Sequence, residues 1–193
     1  RIPGNWKLMM ENIKDPYHAG LLHTWFVTFG LWRADNESRL RLDKHARHAA
    51  MISRRSPKVE GNIDENATSF RKDMKLNEPL LLDIVHEPWW GQDTVCMTTV
   101  FPNVIFQQQV NSLSTRQIIP QGPDSFDFVW THFGFEDDDA EMTERRLRQG
   151  NLFGPAGFVS ADDGEVIEFS QDGFRQDKDF STQCELDGIG VGP

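Results

Sequence analysis

"TVCMTTVFPNVIFQQQVNSLSTRQIIPQGPDSFDFVWTHFGFE", residues 94–136, decides the fold. Its apolar positions are filled by Val, Ile, Phe and Trp, which suit a pleated surface. Pro102-Asn103 and the run Pro120-Gln121-Gly122-Pro123 cut it at short intervals. Runs this close leave no room for crossover helices, so neighbours must pair antiparallel, as a meander. The flanks read differently. Trp6, Met9, Met10, Ile13, Leu21, Leu22 and Phe26 recur at helical spacing, interrupted by Pro16 and Gly20. That pattern predicts a helix to about Lys14, a break at Asp15-Pro16, and a second helical segment. Residues 67–85, with Phe70, Met74, Leu80, Leu81 and Ile84, also look helical. "DDDAEMTERRLRQGNLF", 137–153, has an acidic first turn and arginines near its end, the polarity a helix dipole favours. Pro155 suits the first turn of one more helix. Residues 32–65 are charged and broken; a short strand or turn and then a mobile loop near 57–66 are expected. The fold class is therefore α+β: an antiparallel sheet with helices against one face.

At 193 residues the chain is one domain's worth. Its net charge of -10 disfavours nucleic acid and anionic membranes as partners. No apolar run approaches the roughly 18 residues that span a bilayer, and there is no signal peptide. The chain begins at Arg1 rather than Met, which suggests a piece of a longer polypeptide. Cys96 and Cys184 are the only cysteines. Free thiols in a reducing cytoplasm are expected rather than a disulfide. Without Cys-x-x-Cys or Cys-x-His, the chain cannot hold an iron–sulfur cluster by itself.

"NIKDPYHAGLLHTWF", 12–26, carries His18 and His23 five apart. On a regular helix they would point roughly 140° apart. They are either unrelated or one site on a distorted segment. Asp162-Asp163 sharpens the question, because it lies in a stretch otherwise apolar and small (153–159), where a lone buried carboxylate is costly. Two histidines and one carboxylate make the facial triad of non-haem ferrous oxygenases, which leaves positions open for dioxygen and substrate. Asp15, three residues before His18, can accept that ring's other N–H.

"GNWKLMMENIKDPYHAGLLH" (4–23) and "LFGPAGFVSADDGEVIE" (152–168) resemble, in order and spacing, two stretches of the large subunits of Rieske-type aromatic-ring-hydroxylating oxygenases. "EPWWG" (87–91) and "FDFVWTHFGFEDD" (126–138) add to the likeness. The resemblance covers most of the chain and implies a helix-grip (Bet v 1-like/START-like) fold over 1–193, as the catalytic mononuclear-iron domain. It implies Fe(II) on His18, His23 and Asp163, with Asp162 left to local hydrogen bonds. It also implies that Asp15 connects His18 to a cluster-bound histidine of a neighbouring large subunit, hence a trimer, with or without small subunits, fed by a ferredoxin and a reductase. The [2Fe-2S] Rieske cluster belongs to an N-terminal domain whose motifs are absent here. The stretch "QCELDGIGVGP" (183–193) is not expected to form the helix usual at the end of such subunits. The expected substrates are dioxygen and an aromatic carboxylate, with salicylate converted to gentisate.

The pocket is expected above the iron. Val159 and Ser160 precede Asp163 by four and three residues and so share its helix face. Phe153 and Phe158 are read as aromatic wall, and Asn12 as a further substrate contact. Ile105, Gln107, Gln109 and Asn111 share one strand face, so Gln109 either reaches the substrate or is solvated with its neighbours. These segments hold no Arg or Lys, so neutral hydrogen bonds are expected to recognise the carboxylate. His132 is read as a hydrogen-bonded core histidine, His45 and His48 as solvated surface, and Trp89 and Trp90 as packing. Three other functions fit less of the sequence: cis-dihydroxylation of a related ring such as anthranilate, a helix-grip binder without metal, and a zinc hydrolase.

Overall fold

The computed structural model describes residues 1–28, 36–54, 78, 81 and 83–176. Three short helices open the chain: α1 (Trp6–Asn12), α2 (His18–Leu22) and α3 (Thr24–Thr28). Six strands follow: β1 (Glu37–Leu42), β2 (Ala49–Arg54), β3 (Val95–Val100), β4 (Val104–Gln109), β5 (Ser112–Pro120) and β6 (Phe126–Phe133). They form one antiparallel sheet in sequence order, β1-β2-β3-β4-β5-β6. Two long helices end the described chain, α4 (Ala140–Phe153) and α5 (Phe158–Gln176). The expected α+β class and the 94–136 meander are what the chain adopts.

Side chains alternate across a strand, and register decides which rows align. Ile105 lies opposite Thr99 on one side and Arg116 on the other; Arg116 lies opposite Trp130. That row, with Gln107, Ser114 and Ile118, is the sheet's inner face. Met9 and Met10 of α1, Ile13 just after it, and Ile167 of α5 close over Ile105, Ile118 and Phe126 to form the main core. A second cluster of Phe26, Val110, Leu152 and Phe153 joins α3 to the end of α4.

Local chemistry sets the helix ends. The Asp139 carboxylate accepts the Met142 N–H at 2.7 Å and starts α4, three residues later than the acidic run alone suggests. The α4–α5 link turns so tightly that a Cβ on Gly157 would overlap the Leu152 carbonyl oxygen. Helix α5 therefore starts at Phe158 rather than at Pro155.

Four expectations change. Within 32–65 the chain forms a full hairpin, β1–β2, whose inward row of Ser38, Leu40 and Leu42 is masked in the sequence by the intervening Arg39 and Arg41. Residues 83–87 are not helical; the remainder of the 67–85 helix and the 57–66 loop fall outside the described residues. His132 is exposed rather than in the core. Its ring stacks on Trp130 (centroids 5.9 Å apart) and lies against Gly150, where an added Cβ would come within 3.0 Å of it. His45 is exposed as expected, whereas half-buried His48 accepts the Phe101 N–H at 3.1 Å. Trp90 is buried and Trp89 half exposed, its indole N–H on Glu87. Cys96 is a free thiol; Cys184 lies outside the described residues.

Candidate active site

The five-residue histidine spacing is resolved by a break in the chain. Helix α2 ends at Leu22; the backbone of the next residue, His23 (φ -86°, ψ 66°), leaves the helical region, and α3 starts directly after it. The break swings the His23 ring back towards His18, so the ring centroids lie 5.2 Å apart. From the far end of the chain, α5 delivers Asp163. Its Oδ1 stands 3.4 Å from His18 Nε2 and 3.3 Å from His23 Nε2. One donor atom from each of the three residues falls within 4.8 Å of the others. His23 is 3% exposed and Asp163 9%.

The electrostatics follow from that burial. Desolvation works against a charged His23, but hydrogen bonds and charge from Asp163 and Asp162 outweigh it and raise its pKa. Desolvation also pushes Asp163 up, yet its hydrogen bonds to His18 and His23 hold it well below the usual carboxylate range. An ionised carboxylate and two imidazole Nε2 atoms thus converge at one buried point. Ligand atoms about 2.0–2.1 Å from a shared metal are spaced roughly 3.0–3.4 Å apart, and the two spacings from Asp163 Oδ1 to the histidine Nε2 atoms match that range. Asn12, expected to touch substrate, reaches into this cluster and donates to Asp163 Oδ1 at 3.2 Å. Asp15 accepts the backbone N–H groups of Tyr17 (2.8 Å) and His18 (3.3 Å), and its Oδ2 stands 3.4 Å from His18 Nδ1. That ring nitrogen is buried and makes no hydrogen bond among the described residues.

A cavity of about 150 Å³ opens beside the cluster, between the inner sheet face and α2–α5. A cavity of that size takes one benzene ring. Phe153, Val159, Ser160 and Gln109 line it, with Met51 and Met97 from the sheet. Gln107 donates to the Gln109 side chain and is only 4% exposed, so these glutamines are not solvated as a row. The row ends at Gln109. Val110 adopts φ 49°, and Asn111 turns away to bind the Val85 backbone and Glu87. Phe158 does not form pocket wall: it is the first residue of α5, 63% exposed and stacked on Trp25.

The largest departure is Arg116. Two strands of register bring this cation into a pocket expected to be neutral. It is 7% exposed, its Nη2 donates to Met97 Sδ at 3.5 Å, and its guanidinium lies 4.1 Å from the Trp130 ring centroid. Its Nε is buried without a hydrogen-bond partner, and no carboxylate pairs with it among the described residues. Burial pushes its pKa down to about 9, with Asp163 opposing. The signal available in the sequence was the alternation of Ser112, Ser114, Arg116 and Ile118, which places Arg116 inward with Ile118.

An antiparallel sheet gripping helices, with a buried two-histidine, one-carboxylate cluster beside an aromatic-sized cavity, is the architecture of one class of oxygenase domain. The family model for the ring-hydroxylating alpha subunit catalytic domain matches residues 1–186, and the chain belongs to that family. The large oxygenase component of salicylate 5-hydroxylase from a Ralstonia species is 66% identical over all of this chain and 46% of its own length. The anthranilate 1,2-dioxygenase large subunit of Burkholderia cepacia is 37% identical over 94% of this chain and 44% of its own. Naphthalene 1,2-dioxygenase from a Rhodococcus species, solved with indole bound, superposes with a TM-score of 0.63 at 20% identity. That match covers 89% of this chain and 42% of the other, and it supports the helix-grip architecture. The chain thus spans about half the length of the curated relatives it matches. No helix among the described residues is long and apolar enough to cross a membrane.

Proposed function

We propose that residues 1–193 are the catalytic domain of an oxygenase that hydroxylates an aromatic carboxylate, converting salicylate to gentisate. The observation that carries this reading is a buried guanidinium, Arg116, in a one-ring cavity beside the His18–His23–Asp163 cluster. The salicylate-hydroxylating relative supports the choice of substrate. Ferrous iron suits this mixed nitrogen and oxygen donor set, and when bound it supplies the activation of dioxygen. The protein's own groups do the rest. His18, His23 and Asp163 hold the ion, and Asn12 steadies the Asp163 carboxylate. Arg116 takes the substrate carboxylate, with Gln109 and Ser160 as hydrogen-bonding neighbours. Phe153 and Val159 exclude water from one side of the ring. In the balanced reaction one oxygen atom enters the ring and the other leaves as water, with two electrons drawn from NADH.

Those electrons need a route. In this reading they pass from a reductase and ferredoxin to a [2Fe-2S] cluster in the other half of the large subunit. They then cross to the mononuclear site of a neighbouring subunit in a trimer, with or without small subunits. The unpartnered Nδ1 of His18, turned towards Asp15, supports Asp15 as the contact at that boundary. The full-length oxygenase with its electron carriers tests the reading. Salicylate should be consumed well ahead of benzoate and naphthalene, with gentisate as the product. Preferential turnover of naphthalene, or a cis-dihydrodiol product, would replace it with the dioxygenase reading that the anthranilate relative favours.

A further inference from the structure

Consecutive aspartates grip one imidazole. Asp163 Oδ1 faces His23 Nε2 at 3.3 Å, and Asp162 Oδ2 faces His23 Nδ1 at 3.2 Å. The pair can reach both ring nitrogens because neighbours on α5 point about 100° apart. One tooth enters the buried cluster, and the other, about one third exposed, passes along the outer edge of the ring. Phe26 closes a third side, its ring centroid 5.7 Å from that of His23. His18 is less closely supported, with Asp15 Oδ2 standing 3.4 Å from its Nδ1. The carboxylate near its Nδ1 is spent on backbone N–H groups, and that nitrogen makes no hydrogen bond among the described residues.

From this the geometry points to Asp162 as a positioning residue: it accepts the Nδ1 proton of His23 and so fixes the tautomer that turns an unprotonated Nε2 onto the metal. An imidazole carries one proton in its neutral form, and whichever nitrogen donates leaves the other as ligand. A carboxylate at the outer nitrogen also makes the inner one more basic. Asp162 is thus assigned more than a local hydrogen bond, and the assignment rests on the metal reading proposed above. The two supporting carboxylates then divide their work: Asp162 sets a ligand within the domain, and Asp15 is left for contact at its boundary.

The test uses the full-length oxygenase, native and with Asp162→Ala or Asp162→Asn, and has two readouts. In the metal-free protein, the 15N spectra of labelled histidine report the His23 tautomer. In the second, the affinity for Co(II) is measured against a competing chelator, together with the visible spectrum of the bound ion. At a pH where His23 carries a single proton, the expected result is protonation at Nδ1 in native protein and a shift to Nε2, facing Asp163, in Asp162→Ala. Co(II) affinity should fall about 10–100-fold in Asp162→Ala, the range for lost outer support of a ligand. It should return to within a few-fold of native in Asp162→Asn, whose amide oxygen still accepts. An unchanged tautomer with affinity within twofold of native in Asp162→Ala overturns the assignment. Equal losses in both variants also overturn it, since they signal a structural defect and not a missing acceptor. Weak binding by the native protein is a separate result: it removes the metal reading itself, while the nitrogen spectra still decide the tautomer.

Discussion

Between Val95 and Phe133 four strands pair without a break in register, whereas between Asp15 and Thr28 the chain turns after every five-residue helix. The sheet is built by repetition: each inner residue has neighbours on both sides, and Arg116 arrives beside Ile105 and Trp130 because the ladder puts it there. The helical segment is built by exception, and His23 is useful because its backbone departs from the helix. Substitution on the sheet should therefore tune binding in steps, and substitution in the irregular segment should remove a function outright.

The greatest loss is expected where the exceptional geometry ends in a ligand. His23→Ala or Asp163→Ala in the full-length protein should weaken Fe(II) binding at least about hundredfold and abolish turnover. Losing a ligand should cost more than losing its outer support, which is worth about 10–100-fold. Metal analysis of anaerobically prepared protein checks this, and normal iron in both variants removes the cluster from the mechanism. Next comes Arg116→Met, which keeps the volume and drops the charge. A charge-assisted hydrogen bond is worth about 1.5–3 kcal/mol, so salicylate affinity should fall roughly 10–150-fold. Iron content should stay unchanged and a neutral arene should bind no worse. Equal losses for charged and neutral rings would show that Arg116 shapes the pocket without reading the carboxylate.

A pH profile isolates the same charge. With its pKa lowered to about 9, Arg116 stays protonated at neutrality and loses its proton as pH rises through that value. Salicylate affinity should be level from about pH 6 to 8 and then fall, approaching tenfold per unit. Arg116→Met should flatten the decline. Gln109→Ala and Ser160→Ala each remove one neutral hydrogen bond, worth about 1 kcal/mol, so KM should rise about three- to tenfold with iron intact. The smallest effect belongs to the scaffold. Asp139→Ala removes the α4 cap and should cost about 1 kcal/mol of stability, with no change in iron or KM.

The sheet was legible where β-branched and aromatic residues are cut at short intervals by turns, over 94–136, and hidden where charged residues fill the outward row, as in β1. The clustering of His18, His23 and Asp163 was legible because their residue types and motif context constrain them, even though no regular helix joins His18 to His23. Arg116 was missed for a different reason. Its strand face is readable from the Ser-x-Ser-x-Arg-x-Ile alternation, but its place in the pocket depends on the offset between β4 and β5, a property of pairing that no local window contains. Phe158 failed for the opposite reason: helical proximity to Val159 and Ser160 was clear, but the exact first residue of α5, and so its outward direction, was not.

The cluster also joins parts of the chain that meet late. His23 and Asp162 are 139 residues apart in sequence, so the donor set exists only after nearly the whole described chain has come together. A metal held by these residues, as proposed, would act as a clasp across a very long loop, adding to the core contacts between the opening segment and α5. Because it binds only the assembled state, each tenfold excess of free ion over its dissociation constant adds about 1.4 kcal/mol to stability. Iron supply would then govern how long the protein lasts in the cell as well as whether it turns over. If the proposed iron is that metal, the iron-starved full-length protein should be cleared faster by proteolysis.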